Sequence, residues 1–133
     1  MKKIINHGIA ISLICFCLHL PGLSQTKERS EVPEKYKWDL SDLYISDDAW
    51  EEAKNKVAEK IESLSQFKGT LTESASKLLS CLELTSEINQ KFVRLWSYSK
   101  NKSAQDLRDS KYRGMVQEMG LLSSKIGASS VNC

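Results

Sequence analysis

Side chains able to move protons or hold a metal are sparse in this sequence. Its two histidines, His7 and His19, both fall within the first 24 residues. The rest of the chain has no imidazole for general-base work or zinc binding, and no HExxH pair at helical spacing occurs. The phosphate-cradling P-loop, the dinucleotide motif GxGxxG and the nucleophile elbow GxSxG are missing as well. Acid pairs do occur, at Asp47-Asp48, at Glu51-Glu52 and at Asp39 with Asp42, and such pairs can bind metals or share acid and base roles. Each lies at a predicted helix start or on a charged helix face, where compensation of the helix dipole and solvation account for it. Trp38, Trp50 and Trp96 could form an aromatic binding surface, but Trp50 and Trp96 fall on apolar stripes and are assigned to the core. The run Asp106, Arg108, Asp109, Lys111, Arg113 reads as a solvated helix face. No catalytic, cofactor-binding or metal residue is assigned.

The elements that would position these side chains are bounded first by length. The chain has 133 residues, room for one domain of the usual size and little more. Hydrophobic residues make up 41% and charged residues 27%, a balance that supports a core and disfavours disorder. Without Lys2 and Lys3, 17 basic residues face 17 acidic ones. The two signs are interleaved, as in Glu51-Glu52-Ala53-Lys54, so neither a nucleic-acid partner nor a membrane-surface role is expected.

Met1-Lys2-Lys3 is a positive lead, Ile9 to Leu20 is apolar, and Gly22-Leu23-Ser24 supplies small residues at a cleavage site. Residues 1–24 are therefore predicted to be a cleavable signal peptide that sends the chain to the periplasm or outside the cell. The apolar run is too short to span a bilayer, which needs roughly 20 residues, and Pro21-Gly22 ends it. Cys15 and Cys17 follow Ile14 and Phe16, not the small residue a lipid-anchoring site requires. Cys81 and Cys133 remain, and their pairing is left open. Cys81, inside an apolar helical pattern, reads more readily as a small buried hydrophobe than as a disulfide.

Residues 25–35 are polar, aperiodic and predicted to be a flexible lead-in; the folded domain is placed at 36–133. Tyr36 to Tyr44 fits an extended segment ending in a helical turn, with Trp38, Leu40 and Leu43 docking on the core. A first helix is capped by Ser46 and carries the stripe Trp50, Ala53, Val57, Ile61, Leu64, extended by Phe67 and stopped at Gly69. Thr72 or Ser74 caps a second helix, in which Leu78, Leu79, Cys81, Leu82 and Leu84 are dense enough to imply cover on more than one side. Thr85 or Ser86 could interrupt it before Ile88, Phe92, Leu95, Trp96 and Ser99 continue the spacing. A break at Asn101-Lys102-Ser103 is predicted, with Ser103 and Asp106 capping a last helix. Its stripe is Leu107, Met115, Met119, Leu122 and Ile126, with Tyr112 at the edge. Gly114, Gly120 and Gly127 weaken that helix by about 1 kcal/mol each unless they permit close helix contact. No strict alternation supports a sheet. The predicted class is all-α, three to four long antiparallel helices in a bundle-like domain.

Val32-Pro-Glu-Lys-Tyr-Lys-Trp-Asp-Leu-Ser-Asp-Leu-Tyr44 resembles the opening of the oligoendopeptidase F family, zinc peptidases of the thimet oligopeptidase kind. Asp-Asp-Ala-Trp-Glu-Glu at 47–52, Phe-Lys-Gly at 67–69, the leucine-rich helix from Leu78 and Trp-Ser-Tyr-Ser at 96–99 follow in the family's order, so the resemblance covers Val32 to Val131. It implies a helical N-terminal region that forms one wall of a shell around a channel for short peptides. It also implies a zinc site on a downstream HExxH helix, with zinc bound by the parent and no cofactor by this chain. On this reading the chain is a truncated front portion whose partner is the catalytic domain of the same polypeptide. The alternative is a free-standing secreted helical interaction module with no enzymatic activity. A domain made to pack on a larger partner should leave an apolar patch uncovered, whereas a self-sufficient module should be monodisperse and melt cooperatively.

Overall fold

A computed structural model of the protein describes residues 29–130. The chain divides into two units, Met1–Glu31 and Val32–Cys133. Of the first, the 3₁₀ turn Arg29–Glu31 is described, and the predicted signal peptide lies outside the described residues. The second holds three long helices: α1, Asp47–Ser63; α2, Ala75–Gln105; and α3, Ser110–Ser130. Shorter 3₁₀ turns occupy Glu34–Tyr36 and Leu64–Phe67. Among the described residues there is no strand, so the unit is all-α, and no helix is long and apolar enough to cross a membrane.

The start of α1 follows from Ser46, whose Oγ accepts the Ala49 N–H at 3.1 Å, with Asp47 and Asp48 in the first turn against the positive helix end. Trp50, Val57, Ile61 and Leu64 are buried, and Ala53 and Phe67 pack at the margin of the same cluster. The chain then reverses at Gly69, whose φ of +75° is left-handed, a conformation costing roughly 1–2 kcal/mol for residues with a Cβ. Gly69→Ala is expected to destabilise by about 1 kcal/mol and Gly69→Asn by less, since Asn tolerates this region. Urea midpoints of the two variants would check the order.

Ser74, rather than Thr72, caps α2 by accepting the Lys77 N–H. The helix runs uninterrupted for 31 residues, and Thr85 simply returns its hydroxyl to the Cys81 carbonyl at 2.9 Å. The break predicted at Asn101-Lys102-Ser103 is not there. Ser103 is buried in the bundle and Asn101 Nδ2 donates to the Ser97 carbonyl at 2.8 Å, so packing overrides the serine's preference for a cap. The reversal comes instead at Asp106–Asp109. The Asp106 carboxylate accepts the Arg108 N–H at 2.9 Å and its guanidinium at 3.0 and 2.9 Å. Asp109 accepts the Lys111 N–H at 2.8 Å, the service predicted for Ser103. Leu107, expected on the α3 stripe, sits in this turn and is 70% exposed.

Both α2 and α3 pack on α1, and α2 packs on α3. The α1 and α2 directions are opposed, since Trp50 meets Leu95 while Lys60 meets Glu87. Asp47 meets Lys111 and Lys54 meets Glu118, so α1 and α3 run the same way. Ile88, Leu95, Tyr98, Met115, Met119 and Leu122 complete the core, with Ile126 and Tyr112 at its edge. Cys81 is fully buried, in keeping with its place in the pattern. It is also disulfide-bonded, which adds to the simpler reading as a buried hydrophobe.

Ahead of α1, residues 37–45 form a strap across the helices. Leu40 and Leu43 pack against the core, and Arg94 of α2 clasps the strap by donating to the carbonyls of Asp42 at 2.7 Å and Leu43 at 3.0 Å. Trp38 does not dock as predicted and is 64% exposed.

Candidate functional site

The densest polar constellation centres on Asp47. Its carboxylate accepts the Tyr98 hydroxyl at 2.7 Å and the Lys111 ammonium at 2.5 Å, with the Tyr112 hydroxyl at 3.4 Å. Lys102 stands 3.8 Å away, over the rings of both Tyr98 and Tyr112 at 5.3 Å. One side chain at the start of α1 thereby ties α2 and α3 together. Partial burial works to raise the Asp47 carboxyl. The hydrogen bonds from Lys111 and Tyr98 and the charges of Lys102 and Lys111 outweigh it and hold the group below its ordinary value. Burial and the neighbouring Asp47 carboxylate push the Tyr98 phenol well above its usual value.

The other acids are also engaged structurally. Asp39 accepts the Ser41 N–H at 2.9 Å in a turn, which lowers its carboxyl. Glu51 pairs with Lys54, and Lys54 reaches on to Glu118 of α3. Asp48 and Glu52 are exposed. Among the described residues no group of three or more His, Cys, Asp or Glu side chains is placed to hold a metal ion, so their donor set does not fit a zinc site. The tryptophans do not form one surface: Trp50 is buried with its Nε1 donating to the Leu95 carbonyl at 2.9 Å, while Trp96 lies against Phe92. The charge run of the last turn is only partly a solvated face. Asp106 and Arg108 pair in the turn, and Lys111 crosses to Asp47. Tyr98, Lys102 and Lys111 were not marked by the sequence as partners of Asp47, because contacts across more than fifty residues carry no local spacing.

Two shallow grooves flank α1. One, about 460 Å³, lies under the strap between Leu43, Tyr44, Ile45 and Ala53 with Lys56, Lys91 and Arg94 alongside. The other, about 390 Å³, is lined by Asp47, Asp48, Glu51 and Glu118 with Lys111, and Asp47, Glu51 and Glu118 already face lysines. Neither has the histidine or buried nucleophile that hydrolysis would call for.

The surface feature that polar pairing does not explain is on α2. Leu78, Leu79 and Leu82 are 42, 56 and 54% exposed, and Val93 is 61% exposed. The dense leucine cluster was expected to be covered on more than one side; among the described residues only Cys81 of it faces the other helices fully. Helical geometry gives the reason, since each residue turns the chain by about 100° and the leucines beside Cys81 must point elsewhere.

Over 99 residues the chain is 35% identical to the Oligopeptidase PepF of Bacillus subtilis, a match spanning 74% of this chain and 15% of that protein. It is 33% identical over 104 residues to the chromosomal Oligoendopeptidase F of Lactococcus lactis subsp. cremoris, covering 77% of this chain and 17% of that one. The plasmid-borne Oligoendopeptidase F of the same organism is 32% identical over 102 residues, again 17% of its length. The chain thus spans only 15–17% of these curated relatives. No family model matches it, and no solved structure does.

Proposed function

The chain is a relative of the oligoendopeptidase F family, and from that premise we propose that it is the N-terminal, channel-shaping portion of an exported zinc oligoendopeptidase that hydrolyses short peptides. The observation that carries this reading is the similarity along three quarters of the chain to proteins named for oligopeptide hydrolysis. The portion itself does no bond cleavage. Its helices form a wall, and the zinc-activated water and its ligands belong to the remainder of the parent. Export rests on the Lys2-Lys3 lead and the apolar run that ends at Pro21. The uncovered leucines of α2 are what a unit built to pack on a larger partner leaves exposed.

Sequencing the genomic DNA downstream of the Cys133 codon tests the proposal. The expected result is an open frame leading within one or two kilobases, roughly the coding length of the relatives, to HExxH. A stop codon with no such frame nearby would overturn it and leave the interaction module.

A further inference from the structure

Among the described residues the side of α2 turned away from α1 is open and, from Leu78 to Ser97, uncharged, while on α3 the exposed Arg113 shares that side near the turn. Tyr98 marks the α1-facing side of α2 through its bond to Asp47, and Leu78, Leu82 and Val93 lie roughly 140–160° around the helix from it. On α3, Lys111 and Glu118 mark the α1-facing side, and Gly120 and Gly127 lie roughly 160–180° away. A Cβ built at either glycine meets nothing within 4 Å, so the close helix contact these glycines could permit is unused among the described residues. From Leu78 to Ser97 every residue on the outward side of α2 is uncharged, while Glu83, Glu87, Lys91 and Arg94 fall on the other side. That is a strip of about 30 Å.

We propose that a helix from the remainder of a longer polypeptide lies along this face, in the groove between α2 and α3, with an apolar side against Leu78, Leu82 and Val93 and its axis brought close by Gly120 and Gly127. The inference rests on the reading of the chain as one portion of a larger peptidase, and it names the surface by which that portion is held. Two observations choose this occupant over a transient partner or a second copy. Permanent interfaces resemble a core cut in half and are depleted of charge, and this strip, though Thr85, Ser86 and Asn89 lie on it, has no charge from Leu78 to Ser97. The relatives supply the rest of the polypeptide, since the chain accounts for only 15–17% of them. A helix is the element that fits, because the ridge of one helix packs into the groove between two others and small residues allow it to come close.

The test compares the double variant Leu82→Glu/Val93→Glu with Leu107→Glu, a control at an exposed leucine in the α2–α3 turn. Each is made in the 133-residue chain and in a chimera in which this chain replaces the matched segment of the Bacillus subtilis Oligopeptidase PepF. In the chain alone, where these positions are exposed, the double variant should leave the melting temperature unchanged and reduce concentration-dependent association in sedimentation. In the chimera it should abolish the extra hydrogen-exchange protection of residues 78–93 and lower hydrolysis of a short peptide by about tenfold or more, because charge would be forced into a covered interface; the control should do neither. Equal exchange of 78–93 in the chimera and in the free chain would overturn the inference. So would a loss of stability in the chain alone, or a stable dimer dissolved by the double variant while the chimera is unaffected. An unsubstituted chimera that is inactive yet protects 78–93 would count against the peptidase reading and leave the docking face standing.

Discussion

Truncating Trp50 to alanine is expected to cost about 3–5 kcal/mol of unfolding free energy, a large part of the roughly 5–15 kcal/mol a domain possesses. Trp50 is 1% exposed and sits where α1 crosses α2. Its removal takes away the largest fully buried side chain and the 2.9 Å bond from Nε1 to the Leu95 carbonyl. The helices around it can only partly collapse into the space, which places large aromatic truncations at the upper end of core substitutions. Trp50→Phe retains most of the packing and loses the hydrogen bond, so it should cost about 1–2 kcal/mol. Urea unfolding followed by circular dichroism gives both values, with the slope showing whether the transition stays two-state. An alanine variant whose midpoint matches the parent would mean that α1 is not held on α2 through this residue.

The α1 segment was legible because its signals are local and agree with one another: a serine cap, two acids in the first turn, apolar residues at steps of three and four, and a glycine where φ turns positive. The end of α2 was misread for an equally physical reason. Ser103 carries the same capping signal as Ser46, but it faces the bundle and is buried, and a single sequence does not say which serine the tertiary structure will claim. The leucine cluster at 78–84 shows the reverse. Its density implied cover on several sides, but among the described residues Cys81 is buried, Leu84 packs partly on the core, and Leu78, Leu79 and Leu82 stay exposed. The acid pairs were read from sequence as dipole-compensating or solvated groups, yet Asp47 does more than offset a helix dipole, and nothing in its neighbours along the chain announces Tyr98 or Lys111.

That second role of Asp47 sets a pH window for the fold. Because its carboxyl is held below its ordinary value in the folded state, protonation favours the unfolded chain. The stabilisation is complete above the unfolded value near pH 4 and is lost as pH falls through the lower folded value. Tyr98 behaves oppositely. Its phenol is pushed upward, so its contribution is complete below about pH 10 and is lost as pH rises toward the folded value. Asp47→Asn should therefore cost about 1–3 kcal/mol at neutral pH, the range for charge-assisted hydrogen bonds at a partly buried site. It should flatten the decline in stability below about pH 4, because the titrating group is gone. Lys111→Met should cost less, since that ammonium is 61% exposed and screened by water. Urea midpoints measured from pH 3 to pH 7 decide the matter. A parallel acid decline in the parent and in Asp47→Asn would show that other carboxylates carry the acid sensitivity, and that the link among α1, α2 and α3 is held by packing rather than by this charge.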